Sequence, residues 1–147
     1  MSEQNKALVR RWYDEVWNRG SEAAIDELFP PDAQSFGFPD PGSVLTGPEA
    51  FKAVHRQFHD AFSGIQIRID EMVAEGETVA VRWSATFSHT GGGLGFPPSG
   101  RPASLAGAAF YQFQDGRFRR GWTFMDFTRL ALELQAAHSV SKPISAG

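Results

Sequence analysis

Hydrophobic residues in the first third of the chain recur at helical spacing. One apolar stripe repeats at i, i+4 and i+8 and predicts a helix over residues 3–18; its members are Leu8, Val9, Trp12, Tyr13, Val16 and Trp17. Gly20 ends this helix, and Ser21 can cap a second, shorter helix that stops at Pro30-Pro31. Helical structure therefore dominates the start of the chain.

A short strand and a third helix come next. Residues 33–38 predict the strand. The stretch Thr46-Gly47-Pro48-Glu49 is typical of a capping box, in which the threonine hydroxyl caps the helix. It predicts a helix that runs to about Phe62.

From residue 65 onwards the apolar residues alternate, as they do in β-strands. Four strands are predicted, around residues 65–75, 79–89, 103–113 and 117–126, with a hairpin signal at Asp115-Gly116. The alternation in the second strand places Trp83, Phe87 and His89 on its apolar face. Helices followed by an antiparallel meander predict an α+β fold, and a strongly bent sheet wrapped on one side by helices would enclose a cone-shaped pocket.

The chain is the length of one domain. Its 147 residues show no repeat and no linker, so one domain over residues 1–135 is expected, ending in a helix at 128–135. The tail, residues 136–147, has little to bury and is expected to be flexible.

Composition excludes several classes of function. A net charge of -3 without any Lys/Arg run argues against nucleic acid as a partner. The absence of cysteine excludes disulfides and thiol catalysis. No signal peptide or membrane-length apolar run is found, so a cytoplasmic protein without membrane partners is expected. The 13 Phe and 4 Trp residues could line a cavity as easily as fill a core.

Asp126 is the residue around which the chemistry could be organised. Strict alternation from Phe118 would place Trp122, Phe124 and Asp126 on one face, with the carboxylate at the end of an aromatic row. Apolar surroundings would raise the pKa of that carboxyl group towards neutrality, as a general acid or base needs. The alternative is that the strand ends here and Asp126 caps the following helix.

Three other features could contribute to a site. His89, beside a Gly/Pro-rich loop over residues 90–102, could exchange protons with a ligand, although a strand-end histidine bonded to backbone is favoured. That loop could be a flap over a cavity mouth, with Leu94 and Phe96 as its apolar lid, or a long hairpin connection. His55 and His59 have the spacing of zinc-binding helices but lack a third ligand, so no metal site is expected.

Several stretches, taken together and in order, resemble the SnoaL-like polyketide cyclases of the NTF2-like superfamily. They are residues 8–18, Thr46-Gly47-Pro48-Glu49-Ala50-Phe51, residues 73–83, Ser88-His89-Thr90-Gly91, residues 95–101, Asp115-Gly116-Arg117, and Trp122 with Asp126. The resemblance implies a cone-shaped α+β barrel. It also implies ring closure in a polyketide-like substrate without metal or cofactor, with an aspartate at the Trp-x-x-x-Asp position, here Asp126, as the acid/base.

The chain departs from the family pattern at polar positions. Gln34-Ser35-Phe36 replaces an Asn-x-His, Gln112 stands where an arginine or histidine is common, and Arg120-Gly121 replaces a Glu-His. The hypothesis is therefore a cyclase that uses acid/base or shape-driven, even pericyclic, catalysis, with Asp126, His89 and Gln112 as catalytic residues. Aromatic residues would form the substrate-binding walls: Phe36, Phe58, Trp83, Phe87, Tyr111, Trp122 and Phe124.

Two rival functions and one assembly state follow from the same reasoning. Epoxide opening would need a water-positioning cluster, for which Asp126, Gln112 and Tyr111 are available. A non-catalytic ligand-binding module would be favoured by a solvent-facing Asp126 or a filled cavity. Residues 103–113 are apolar on both faces of their strand, which predicts a homodimer formed through the outer face of the sheet.

Overall fold

The structure, a computed structural model, describes residues 2–141. Its elements in chain order are α1 (Ser2–Arg11), a π-helix (Trp12–Asn18), α2 (Glu22–Leu28), β1 (Gln34–Phe36), β2 (Val44–Thr46), α3 (Gly47–Ala61), β3 (Phe62–Glu75), β4 (Thr78–His89), β5 (Pro102–Gln114), β6 (Arg117–Met125) and α4 (Phe127–Ser141). The predicted α+β class is confirmed. No helix in this part of the chain is long and apolar enough to cross a membrane.

The predicted cap forms at the start of α2 but not at the start of α3. The Ser21 hydroxyl caps α2 by accepting a hydrogen bond from the Ala24 N–H at 3.1 Å. Thr46 occupies the N-cap position of α3, but its hydroxyl makes no capping bond, so the predicted capping box is not formed. Glu49, the glutamate of the predicted capping box, instead forms an ion pair with Lys52 at 3.2 Å.

The sheet has the strand order β2-β1-β6-β5-β4-β3 and does not close on itself. All neighbours pair antiparallel except β1 and β6, which are parallel, so the sheet is mixed where a fully antiparallel one was expected. The three-residue strand β2 is too short to show an alternating pattern, and the sequence did not reveal it. α4 continues past the expected end at residue 135 to Ser141, and residues 142–147 of the predicted tail lie outside the described part.

A β-bulge in β6 decides which side chains face the helices. Phe113 pairs with Phe118 and Gln112 with Arg120, so Arg119 has no partner of its own in β5. One extra residue reverses the alternation of every side chain that follows it. After the bulge, it is Gly121, Thr123 and Met125 that point inward.

The predicted row of Phe118, Trp122, Phe124 and Asp126 on one face is therefore wrong. Phe118 faces the interior, whereas Phe124 is 60% exposed on the outer face of the sheet. β4 carries no bulge between Val79 and His89, and there the predicted apolar face is buried at each alternate position.

Candidate functional site

A cavity of about 70 Å³ lies between the inner face of the sheet and the N-terminal helices. Twelve of the twenty residues that line it are aromatic. None of these lining residues carries a formal charge at neutral pH, because the two tyrosines are its only ionisable side chains. The cavity is thus apolar and uncharged, with a few neutral polar groups in its wall.

Two glycines leave room for the aromatic wall. A Cβ atom on Gly107 would lie 2.6 Å from Cζ2 of Trp83, its cross-strand partner. A Cβ atom on Gly121 would lie 2.9 Å from Cζ of Phe118 and 3.1 Å from Cδ1 of Tyr111. Any side chain at either position would collide with a ring of the cavity wall, and at Gly107 also with the Phe124 carbonyl oxygen at 2.5 Å.

The main polar feature of the cavity is a pair of buried tyrosines. The hydroxyl oxygens of Tyr13, from the π-helix, and Tyr111, from β5, are 2.6 Å apart. Burial raises the pKa of both phenols well above its ordinary value, so both stay neutral at physiological pH. Only one hydroxyl hydrogen is used within the pair, and the other is free to bond a ligand.

The cavity also contains a donor with no partner. Trp83 is 5% exposed, and its Nε1 atom is buried without a hydrogen-bond partner among the described residues. Two further hydroxyl groups reach the wall, from Ser35 on β1 and Thr123 on β6. All these groups are neutral, so the cavity can orient a ligand by hydrogen bonds but cannot neutralise a charge on it.

The structure brings four of the seven predicted wall residues together at the cavity. They are Phe58, Trp83, Phe87 and Tyr111. Phe36, Trp122 and Phe124 do not line it. Phe36 stacks on Trp122 with ring centroids 5.6 Å apart, on the outer face that the β6 bulge assigns to Trp122 and Phe124.

Asp126 lies outside the cavity, and its side chain is 42% exposed. Its carboxylate accepts a hydrogen bond from the Ala106 N–H at 3.1 Å and one from Arg129 Nε at 2.8 Å. Partial burial acts to raise the pKa of Asp126, but these bonds outweigh it and hold that pKa below its usual value. The expected rise towards neutrality is wrong, and Asp126, just before α4, sits where the alternative of a helix-capping residue placed it.

Gln112 and His89 do not reach the cavity either. Gln112 alternates with the inward-facing Tyr111 and Phe113. His89 is fully buried at the end of β4. Its backbone N–H donates to the Arg101 carbonyl, and its backbone carbonyl accepts from the Gly100 N–H. Burial lowers its pKa, so the ring is neutral, and it lies beside the backbone of Gly91 and Phe96 without a hydrogen bond of normal geometry.

The loop between β4 and β5 packs on the end of α3. The N–H groups of Thr90 and Gly91 both donate to the Ala61 carbonyl at 3.0 Å. A Cβ atom on Gly93 would overlap the Gln57 carbonyl oxygen, so this contact requires glycine. Leu94 and Phe96 pack against the core but do not line the cavity, as a lid would.

The histidine pair on α3 packs against the core, with His55 buried and His59 half-buried. The ring centroids of His55 and His59 are 4.3 Å apart, and His55 Nε2 lies 2.7 Å from the Val16 carbonyl oxygen. Burial lowers the pKa of both, that of His59 to about 4. Among residues 2–136, whose side chains the structure describes, no group of three or more His, Asp or Glu side chains is placed to hold a metal ion.

Sequence reasoning missed three polar residues of the cavity: Tyr13, Ser35 and Thr123. Tyr13 carried a signal, since a phenol in an otherwise apolar helical stripe needs a buried partner for its hydroxyl. Thr123 carried none, because only the bulge turns it inward.

Comparison with known proteins identifies a family. The profile of the SnoaL-like polyketide cyclases matches residues 7–135. No curated protein matches the chain.

Solved structures share the fold over nearly the whole chain. A candidate SnoaL-like polyketide cyclase from Jannaschia sp. CCS1 superposes with a TM-score of 0.82 at 23% identity, covering 92% of this chain and 94% of that one. AclR, a candidate hydroxylase from Streptomyces galilaeus, gives 0.80 at 23%, covering 92% and 83%. IdmH, a candidate polyketide cyclase from Streptomyces antibioticus, gives 0.75 at 26%, covering 89% and 98%. The predicted SnoaL-like fold is confirmed.

Proposed function

This chain belongs to the SnoaL-like polyketide cyclase family, and from that premise we propose that it closes a ring in a small, neutral, polyketide-like substrate held in the cavity. One observation carries the proposal: the cavity is aromatic and uncharged, and its one buried hydrogen-bonded pair is formed by two neutral phenols. Such a site folds an apolar chain by shape and holds it by a few polar contacts.

The cavity favours shape-driven ring closure over enolate chemistry. An aldol closure removes a proton from carbon and needs a base whose pKa lies near the working pH. The two phenols have raised pKa values, and Asp126 is exposed and outside the cavity. In a pericyclic closure, π electrons of the folded chain become σ bonds of the ring, and no proton moves to or from the protein.

A ligand-binding module without catalysis is the second candidate. The solvent-facing carboxylate of Asp126, with its lowered pKa, is the observation that favours it. Epoxide opening has less support, because Tyr111 lines the cavity whereas Gln112 and Asp126 do not.

The test is turnover of linear polyketide analogues that carry a diene and an alkene, followed by mass spectrometry in D₂O. We expect a cyclic product of unchanged mass without deuterium at the carbons next to the carbonyl. Deuterium at those positions, dependent on the protein, would show enolate chemistry. Binding without any product would favour the ligand-binding module. Leu132→Ala, at an exposed position of α4 outside the cavity, is the matched control for variants inside the cavity.

We further propose that the protein is a homodimer formed through the outer face of the sheet. Phe110 and Phe124 lie on that face, 46% and 60% exposed, with ring centroids 6.4 Å apart. Exposed aromatic neighbours of this kind are typical of a covered surface. Light scattering should give about twice the 16.2 kDa of one chain, and Phe124→Ser should shift the equilibrium towards the monomer. A monomer at micromolar concentration would contradict the dimer.

A further inference from the structure

The indole N–H of Trp83 is a donor that the described part of the chain leaves without an acceptor. Buried donors are nearly always bonded, because an unbonded one loses its water and gains nothing in return. The residue is 5% exposed, so bulk water does not satisfy it. The unpaired N–H of Trp83 is explained if a ligand supplies its acceptor.

The indole of Trp83 is part of the cavity wall. Nε1 and Cζ2 are both bonded to Cε2, so they share one edge of the ring system. Cζ2 lies over Gly107, 2.6 Å from where a Cβ atom would be, and the Cβ atom of Met125 is 3.0 Å from that same point. The Phe124 carbonyl oxygen lies 2.5 Å from that point, but Nε1 makes no hydrogen bond with it, and the methionine sulfur is only a weak acceptor.

A second donor is available nearby. The Tyr13 ring lies 6.4 Å from the Trp83 ring and 6.3 Å from the Tyr111 ring, measured between centroids. The tyrosine pair and the indole are therefore neighbours in the cavity wall. The residues that line the cavity include no carboxylate and no cation beside these two donors.

We propose that the Trp83 N–H binds a neutral carbonyl oxygen of the substrate, with the tyrosine pair as the second donor. Trp83 is then a specificity-determining residue. It makes the cavity prefer a ketone over a hydrocarbon of the same shape, and the absence of a cation makes it reject a carboxylate. This inference rests on the proposed function, because it requires that the cavity be the substrate site.

Three probes of nearly equal shape separate the contributions. Acetophenone carries the carbonyl, α-methylstyrene replaces the oxygen with a methylene group, and benzoate replaces the methyl ketone with a charged carboxylate. Each is titrated against the wild-type protein and against Trp83→Phe. Trp12→Phe is the matched control, because Trp12 also lines the cavity but its Nε1 is not among the buried atoms without a partner.

We expect Trp83→Phe to weaken acetophenone binding by about three- to tenfold, the scale of one hydrogen bond, and α-methylstyrene binding by less than about twofold. Trp12→Phe should change both equally. The carbonyl stretch of ¹³C-labelled acetophenone should lie at lower frequency in the wild type than in Trp83→Phe. Benzoate should bind at least about a hundredfold more weakly than acetophenone.

If Trp83→Phe does not fold, 3-benzothienylalanine at position 83 keeps the shape of the indole and removes only the N–H. Equal losses for acetophenone and α-methylstyrene, or an unchanged carbonyl stretch, would overturn the role of Trp83 and leave the proposed function intact. Failure of the wild type to bind either neutral probe would overturn both.

Discussion

Two sites in this molecule carry polar groups that could act on a substrate, and they differ in every physical respect. The Tyr13–Tyr111 pair is buried in the aromatic cavity, and burial keeps both phenols neutral. Asp126 lies beyond the end of β6, exposed, bonded to a backbone N–H and paired with Arg129. One site is buried and uncharged, and the other is exposed and ionised.

The difference shows what each site can contribute. A carboxylate whose pKa has moved below its usual value is a poor general acid or base near neutral pH. A neutral phenol in a buried apolar cavity can donate a hydrogen bond at any physiological pH. That bond is stronger than in water because the local dielectric constant is low. The comparison therefore assigns ligand orientation to the tyrosine pair and local structure to Asp126, and the following variants challenge that assignment.

The largest effect is expected from Gly121→Val, which fills the tyrosine end of the cavity. Even the first carbon of a side chain would lie 2.9 Å from Phe118 and 3.1 Å from Tyr111. We expect loss of acetophenone binding by at least about fiftyfold, and a loss of about 1–3 kcal/mol in the free energy of unfolding from overpacking. Gly42→Val is the control, since nothing lies within 4 Å of a Cβ there. Unimpaired binding in Gly121→Val would place the ligand elsewhere.

Tyr111→Phe is expected to have the second largest effect. It leaves the Tyr13 hydroxyl buried without its 2.6 Å partner, which costs about 1–3 kcal/mol in urea unfolding. The double variant Tyr13→Phe with Tyr111→Phe should be less destabilised than the sum of the two single variants, because no polar group is then left unpaired. Additive losses would mean that the two hydroxyls do not interact.

Acid should destabilise the protein by protonating His55 and His59 before it protonates most of the carboxylates. The folded-state pKa of His59 is lowered to about 4 and that of His55 is lowered as well, so the unfolded chain binds protons first. The stability they contribute is complete above the unfolded pKa of about 6.5 and is lost as pH falls towards 4. His59→Phe replaces the imidazole with a non-titrating ring that can still stack on Trp17. This variant should flatten the decline in melting temperature between about pH 6.5 and 4.5. An equal slope in both proteins would contradict this assignment.

The inward-facing residues of a strand were predicted correctly where the alternation of side chains along it was unbroken, and wrongly where a bulge interrupted it. In β4 the period of two held from Val79 to His89, and both buried wall residues assigned to it, Trp83 and Phe87, line the cavity. In β6 the same reasoning failed because Arg119 is an extra residue, and no feature of Arg117–Met125 marks the bulge. The bulge arises from the way β6 pairs with β5, so the sequence of β6 alone does not reveal it.

The tyrosine pair shows a second limit. Tyr13 and Tyr111 are 98 residues apart, and each reads locally as an ordinary member of an apolar face. Their contact depends on how the N-terminal helices lie across the sheet, which the helical and strand periods do not determine. The fold class and four aromatic residues of the wall could be predicted, whereas the polar contacts could not.

The smallest effect is expected from Asp126→Asn, the variant that most directly separates the two sites. The amide keeps an oxygen for the Ala106 N–H and loses the charge that pairs with Arg129. An exposed ion pair contributes at most about 1 kcal/mol to the free energy of unfolding. That contribution is present above the unfolded pKa of the carboxyl group and is lost as pH falls through its lowered folded pKa, so the variant and the wild type should converge in acid. Because the carboxylate does not line the cavity, turnover and acetophenone affinity should change by less than about threefold. A drop in turnover of about a hundredfold with the fold intact would restore Asp126 as an acid/base and would require that the cavity open towards it during the reaction.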